Sequence, residues 1–137
     1  MYFEKRWSPS KKGALAEKIA CRFLRNRGHR ILEKNYRVGR YEIDIIAEKE
    51  GMISFIEVKM EKKNAFKQTD LKVTKDKRKR IIYSAKHFLH ASQFGRNVNF
   101  RFDIVRVVTD GSEFEVIHIE NAFSERAMLR ISVLIMR

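Results

Sequence analysis

Four charged side chains interrupt two short apolar runs near the middle of the chain. Glu42 and Asp44 alternate with isoleucines in the first run, and Glu57 and Lys59 alternate with aliphatic residues in the second. Carboxylates that converge on one place repel one another unless they pair with a base or bind a cation. Their oxygens suit hard divalent cations such as Mg²⁺ or Mn²⁺, which leave further positions to water and phosphate. A metal site is therefore one interpretation of this pattern, with Lys59 placed to hold or deprotonate a water molecule.

Two antiparallel strands joined by a glycine-containing turn are predicted to carry these charges, because both runs are rich in β-branched residues. If the connection has an even number of residues, Ala47 pairs with Met52 and Glu42 lies opposite Glu57. Asp44 is then a diagonal neighbour of Glu57, about 7–8 Å away. A connection of odd length would move the second pair of charges to the other face of the sheet.

A solvated charged face on this hairpin is the alternative to a metal site. Charged outer faces are common on antiparallel sheets. The spacing alone therefore favours the solvated face.

A helix is predicted before the hairpin. Apolar residues follow the spacing of a buried stripe at Ala16, Ile19, Ala20, Phe23 and Leu24. Gly28 is expected to end this helix. Glu17 lies on the flank of the stripe, where the helix dipole favours an ordinary surface glutamate.

The most basic segment of the chain follows the hairpin. Of nine residues one is acidic and six are basic, namely Lys72, Lys75, Lys77, Arg78, Lys79 and Arg80. The segment opens a helix that continues to about Ser92, because apolar residues keep helical spacing from Ile81 onward. Its first two turns are therefore basic, and the backbone N–H groups there also favour phosphate. Together with the net charge of +13, the segment predicts a nucleic-acid-binding surface rather than a merely solvated face.

The remaining apolar segments complete an α/β fold. Residues 29–36 predict a short first strand, and the segments that begin at Val98 and Phe114 predict two strands after the basic helix. The chain then has the order helix, three strands, helix, two strands. This order indicates a central mixed sheet flanked by helices.

Length and composition narrow the class of protein. One domain is expected over residues 1–137, with a basic arm at residues 1–9 and an apolar tail at residues 124–137. The sequence has no run of 18 apolar residues and no signal peptide, which predicts a cytoplasmic protein without a membrane segment. The lone Cys21 excludes an internal disulfide and a multi-cysteine zinc site.

A gap of 12 residues separates Asp44 from Glu57-Val58-Lys59, which resembles the Asp…Glu-x-Lys signature of restriction-endonuclease-like nucleases. The wider pattern resembles the YraN family, also called UPF0102, of predicted endonucleases related to archaeal Holliday junction resolvases. Six stretches carry this resemblance in family order: Gly13-x-x-Ala16-Glu17-x-x-Ala20, Asn35-Tyr36-Arg37, Glu42-Ile-Asp-Ile-Ile-Ala47, Phe55-Ile-Glu-Val-Lys59, Val73-Thr-x-x-Lys77 and Arg101-Phe-Asp103.

The resemblance implies a restriction-endonuclease-like αβββαβ core and a metal-dependent endonuclease that hydrolyses phosphodiester bonds in DNA, branched or duplex. It implies that Asp44, Glu57 and Glu17 hold Mg²⁺ or Mn²⁺ and that Lys59 is a catalytic residue beside them. Lys77 matches a family lysine. The resolvase relatives work as dimers, and the apolar tail is compatible with a homodimer.

Two positions depart from the family pattern. Tyr41 stands where the family usually has Gly, and Met60-Glu61 stands where a basic residue is usual. The composition fits a non-catalytic nucleic-acid-binding protein, of DNA or RNA, equally well. The carboxylates discriminate between the two functions, because a pure binder gains nothing from acids near a phosphate.

Overall fold

Two helices and six strands make up the part of the chain that the computed structural model describes, residues 9–64, 73–92, 94, 98–124 and 132–134. They are α1 (Pro9–Asn26), β1 (Arg30–Val38), β2 (Tyr41–Lys49), β3 (Met52–Lys62), α2 (Lys75–Ala91), β4 (Asn99–Thr109), β5 (Phe114–Phe123) and β6 (Ser132–Leu134). Neither of these helices is long and apolar enough to cross a membrane. Lys72, most of the predicted arm and most of the predicted tail lie outside the described residues.

The strands form a mixed sheet in the order β1-β2-β3-β4-β5-β6. β3 and β4 run parallel, from Met52 beside Asn99 to Lys62 beside Thr109, and the other neighbours run antiparallel. Parallel neighbours need a long crossover connection, and α2 lies within it. The structure confirms the predicted mixed sheet, its flanking helices and the αβββαβ order. It adds β6, which pairs with β5 and lies inside the predicted apolar tail.

The two helices cover opposite faces of this sheet. Phe55 and Ile104 belong to the core that includes α2, whereas their neighbours Ile56 and Val105 belong to the core that includes α1. Successive side chains of a strand point to opposite faces, so this division places one helix on each side. The apolar stripe predicted for α1 is buried at Ala16, Ala20 and Leu24.

The end of α1 follows the glycine signal in the sequence. Gly28 has a φ of +89°, and its N–H donates to the carbonyl of Arg25. The N–H of His29 donates to the carbonyl of Leu24, which completes a Schellman motif. This motif directs the chain from the end of α1 into β1 and leaves His29 buried between them.

The hairpin of β2 and β3 forms, but with another register than predicted. Its turn has only two residues, Glu50 and Gly51, with φ angles of +51° and +80°, as in a type I′ turn. Ala47 therefore pairs with Ser54 and not with Met52. The predicted register was wrong by two residues because the turn is tighter than the sequence suggested. An even shift by itself leaves the predicted sharing of faces unchanged, but on β2 the alternation is interrupted between Ile43 and Ile45, which pack in different cores.

Candidate metal and nucleic-acid site

The hairpin opens beyond the pair of Ile45 and Ile56, where the ladder between β2 and β3 ends. There the Asp44 carboxylate, and not a backbone carbonyl, accepts the N–H of Val58 at 2.8 Å. Strict alternation also fails at this point, because Ile43 packs in the core with α2 and Ile45 packs in the core with α1. Because of this irregularity, β2 does not alternate regularly around Asp44. The Asp44 carboxylate is held against β3 by the Val58 N–H.

Helix α1 supplies a second carboxylate to this place. Ala16 and Ala20 are buried against the sheet, which brings the neighbouring Glu17 to the opening of the hairpin. One carboxylate oxygen from each of Glu17, Glu42 and Asp44 lies within 4.8 Å of the other two. All three side chains are half-buried. We call these three residues the carboxylate cluster.

Glu57 lies beside the carboxylate cluster without being one of its three members. It is 7% exposed, and the Lys77 ammonium group forms an ion pair with its carboxylate. The prediction named Asp44, Glu57 and Glu17 as metal ligands, whereas the structure groups Glu42 with Asp44 and Glu17. Glu57 is nevertheless close enough to Asp44 to influence its ionisation.

The electrostatics of the cluster favour a bound cation. Burial, the Glu57 charge and the Glu17 charge raise the pKa of Asp44 to about 8, although the Val58 N–H and Lys77 oppose them. Burial also raises the pKa of Glu17, and the Glu42 and Glu57 charges add to this effect. A divalent cation would offset these repulsions. The donor set of three half-buried carboxylates fits Mg²⁺ or Mn²⁺.

Lys59 lies two residues beyond Glu57 on the same strand. It lines a cleft of about 420 Å³ together with Glu57, Glu61 and Lys77. Glu61, one of the two departures from the family pattern, is paired with the buried Arg106 through Nε and Oε1 at 2.9 Å. Its charge is therefore balanced within the fold, and Lys59 and Lys77 remain the basic groups nearest to Glu57 along this cleft.

The basic residues of α2 divide between different surroundings. Thr74 caps the helix by accepting the N–H of Lys77 at 3.2 Å. Lys77 and Arg80 line a cleft of about 570 Å³ that also contains Glu42, Asp44 and Glu57.

Lys79 and Arg80 line an adjoining groove of about 1210 Å³. Lys75 is exposed on the first turn and Arg78 is half-buried.

Asn35 contributes to the site in a way that the sequence analysis missed. Its side-chain amide lies close to the Glu17 carboxylate and so opposes the rise in the pKa of that carboxyl. Asn35 has a φ of +53° inside β1, a conformation that asparagine tolerates better than most residues. The available signals were an asparagine within a predicted strand, where it is disfavoured, and its place in the family pattern.

Comparison with known proteins places this arrangement in a family. A profile of the uncharacterised protein family UPF0102 matches residues 16–107, a range that contains the carboxylate cluster and all of α2. A UPF0102 protein of Clostridium perfringens is 41% identical over 113 residues, which cover 81% of this chain and 92% of the relative. UPF0102 proteins of Alkaliphilus oremlandii and Treponema pallidum are 37% and 34% identical and cover 81% and 82% of this chain and 96% and 92% of their own lengths.

Proposed function

This chain belongs to the uncharacterised protein family UPF0102, and we propose that it is a metal-dependent endonuclease that hydrolyses phosphodiester bonds in DNA, duplex or branched. The observation that carries the proposal is that two members of the carboxylate cluster, Glu42 and Asp44, line one cleft with Lys77 and Arg80. Cations alone would suffice for binding phosphate. Acids held among them repel phosphate unless a metal ion lies between the two.

Glu17, Glu42 and Asp44 would hold Mg²⁺ or Mn²⁺, with Glu57 adjacent. When bound there, the ion would neutralise developing negative charge on the phosphate and lower the pKa of a water molecule. The Asn35 amide lies close to the Glu17 carboxylate, and the Val58 N–H donates to Asp44 at 2.8 Å. These two contacts hold carboxylates from α1 and β2 in positions suited to one ion.

The remaining polar groups act on DNA and water. Lys77 and Arg80 face the cleft from the first two turns of α2, where they can hold phosphate oxygens. Lys59 lines the neighbouring cleft of about 420 Å³, which shares Glu57 and Lys77 with the first, and would orient the attacking water and balance charge on the pentavalent phosphorus. Lys77 pairs with Glu57 in the free protein and would exchange this partner for a phosphate when DNA binds.

Incubation with labelled linear and branched DNA, with Mn²⁺, Mg²⁺ or EDTA, tests the proposal. We expect cleavage with either metal and none in EDTA. Asp44→Ala and Glu57→Ala should each abolish cleavage, while Lys59→Ala should lower it by roughly 10²- to 10⁴-fold, the range for loss of a group that transfers or orients a proton. Cleavage in EDTA, or full activity of Asp44→Ala, would contradict the mechanism.

Metal binding has an independent readout in thermal stability. Free metal at 100 times its dissociation constant stabilises a folded protein by about 2.7 kcal/mol, so Mn²⁺ should raise the melting temperature. Glu17→Gln and Glu42→Gln should reduce this shift. Glu50→Gln is a matched control, because Glu50 is exposed on the β2–β3 turn at the other end of the hairpin.

The rival function is a non-catalytic nucleic-acid-binding protein, which the net charge of +13 favours equally. Such a protein would bind DNA or RNA in a salt-sensitive manner. It would show neither metal-dependent cleavage nor a metal-induced shift in melting temperature. That combination of results would replace the nuclease by the binder.

A further inference from the structure

A groove of about 1210 Å³ lies between the β1–β2 turn and α2. Three cationic side chains line it, those of Arg40, Lys79 and Arg80, against the single carboxylate of Asp76. Its other polar surface comes from two tyrosines, Tyr41 and Tyr83. The groove therefore combines positive charge with aromatic rings, the combination by which proteins bind single-stranded nucleic acid.

The groove is continuous with the cleft that holds the carboxylates. Arg40, Tyr41, Asp76 and Arg80 line both. Tyr41 and Asp44 are three residues apart on β2, about 10 Å at the usual rise per residue of a strand. A nucleotide on the tyrosines would therefore lie only a few nucleotides along the strand from a phosphate at the carboxylate cluster.

The tyrosine rings are held by contacts that leave Tyr83 open. Tyr83 is 57% exposed, and its ring meets the Tyr41 ring edge to face, with 5.6 Å between centroids and an interplanar angle of 87°. The Arg80 guanidinium carbon lies 5.7 Å from the Tyr41 ring centroid. This cation–π contact orients Tyr41, and Tyr41 in turn supports the exposed ring of Tyr83.

Tyr41 is a feature of this chain rather than of the family pattern, which has Gly at that position. The Tyr83 ring that Tyr41 supports is exposed and contributes little to a hydrophobic core. A strand of DNA whose bases are unpaired can offer a base to such a ring, whereas the bases of a duplex are already stacked on each other. The groove therefore suits single-stranded DNA better than duplex DNA.

We propose that this groove binds an unpaired stretch of DNA, with a base stacked on Tyr83 and the flanking phosphates held by Arg40, Lys79 and Arg80. The preferred substrate would then be DNA with a single-stranded segment beside the phosphodiester to be cut. The part that concerns cutting rests on the proposed nuclease function. The binding preference does not, and it is measured without metal.

Fluorescence anisotropy in EDTA, with three labelled probes, tests the groove. The probes are a thymidine oligonucleotide, the same strand with abasic sugars in place of its nucleosides, and a duplex. Base stacking on an aromatic side chain is lost with about a five- to 150-fold change in affinity on substitution by alanine. Tyr83→Ala should therefore weaken binding of the base-bearing strand by this factor and leave the abasic strand unchanged.

Matched variants separate the ring from the charges. Tyr83→Phe keeps the ring and should bind the base-bearing strand as tightly as the parent does. Tyr41→Gly should weaken binding of that strand as Tyr83→Ala does. Phe114→Ala removes an equally exposed ring, 45% exposed, from the β4–β5 end of β5 and should have no effect. Arg40→Ala and Lys79→Ala should weaken both single strands alike and lower the salt dependence of binding.

Two outcomes would overturn the groove proposal. Equal binding of the base-bearing and abasic strands by the parent protein is one, and an equal loss for all three probes in Tyr83→Ala is the other. Base-dependent binding without any metal-dependent cleavage would contradict the proposed nuclease function and support the groove proposal. Cleavage without a preference for unpaired segments would remove the groove and leave the nuclease.

Discussion

At the scale of single residues, Asp44 joins the fold to the proposed chemistry. Its carboxylate takes a backbone N–H that a regular ladder would give to a carbonyl, and it stands close to the acids of Glu17, Glu42 and Glu57. Each of these acids destabilises the fold less when another is neutral or when a cation lies between them. The residue is therefore expected to be suboptimal for stability.

Asp44→Asn should make the metal-free protein more stable. The asparagine oxygen can still accept the Val58 N–H, but the charge that the neighbouring acids disfavour is gone. Because folding raises the pKa of Asp44 to about 8, the folded protein binds a proton at pH 7 that the unfolded chain releases, and this lowers its stability. The free energy of unfolding in EDTA, measured with denaturant, should rise by on the order of 1–3 kcal/mol.

The same variant should lose the stabilisation that Mn²⁺ gives the parent protein. Glu50→Gln, which removes an exposed carboxylate from the far turn, should change neither quantity. An Asp44→Asn protein that is less stable than the parent in EDTA would show that the carboxylates are not in conflict. The trade between stability and activity expected of a functional site would then be absent.

At the scale of elements, periodicity predicted both helices and the mixed sheet. The stripe of α1 is buried at Ala16, Ala20 and Leu24, and α2 runs from Lys75 to Ala91 much as the spacing of its apolar residues indicates. These signals are local, because a helix shows its buried face in residues three and four apart. The sequence also placed Glu42 and Asp44 together on the hairpin.

Features that depend on two distant elements could not be predicted in this way. The ion pair between Lys77 of α2 and Glu57 of β3 exists because the crossover brings α2 beside this part of the sheet. The proximity of Asn35 of β1 to Glu17 of α1 also joins two elements. No spacing rule within one element reports either contact. The predicted register of the hairpin was wrong because the choice of a two-residue turn depends on how far the strands pair.

The turn of the hairpin offers a test at this scale. Gly51 has a φ of +80°, and a side chain at that position would meet no atom within 4 Å. Gly51→Ala should therefore destabilise the protein only through backbone strain, by roughly 1–2 kcal/mol. Gly13→Ala, in α1, also meets no atom within 4 Å and should instead stabilise it by about 0.5–1 kcal/mol.

Denaturant unfolding of the two glycine variants, side by side, checks this expectation. Opposite signs are predicted because the added methyl group is the same and only the backbone conformation differs. If Gly51→Ala were as stable as the parent, the type I′ turn would be wrong. The register that brings Asp44 beside Glu57 would then lose its support.

At the scale of the whole molecule, charged side chains line a cleft beside α2, whereas another group of polar side chains is buried near the end of α1. Glu42 and Asp44 line a cleft with Lys77 and Arg80 of α2, and in a chain of net charge +13 such cations attract DNA over a long range. Near the end of α1, the polar side chains of His29, Asp103 and His118 are buried. There His118 bonds to Asp103 at 2.7 Å, and its ring lies 5.9 Å from that of His29.

His29 should make the stability of the whole fold depend on pH. It is 6% exposed, and neither ring nitrogen makes a hydrogen bond of normal geometry with a described residue. Burial lowers its pKa, His118, Lys49 and Arg101 lower it further, and only a weak contact with the Leu24 carbonyl opposes them. The folded protein therefore holds His29 neutral at a pH where the unfolded chain protonates it.

The direction of the effect follows from proton linkage. Below a pH of about 6.5 the unfolded state binds more protons at this histidine than the folded state, so stability falls as the pH falls. Above that value the contribution of His29 is complete. His29→Phe, which keeps an aromatic ring in the buried position, should give a shallower decline in the free energy of unfolding between pH 7 and pH 5. His90→Gln, at an exposed position on α2, should decline as steeply as the parent; a His29→Phe curve parallel to the parent curve would mean that the neutral ring of His29 does not couple the fold to pH.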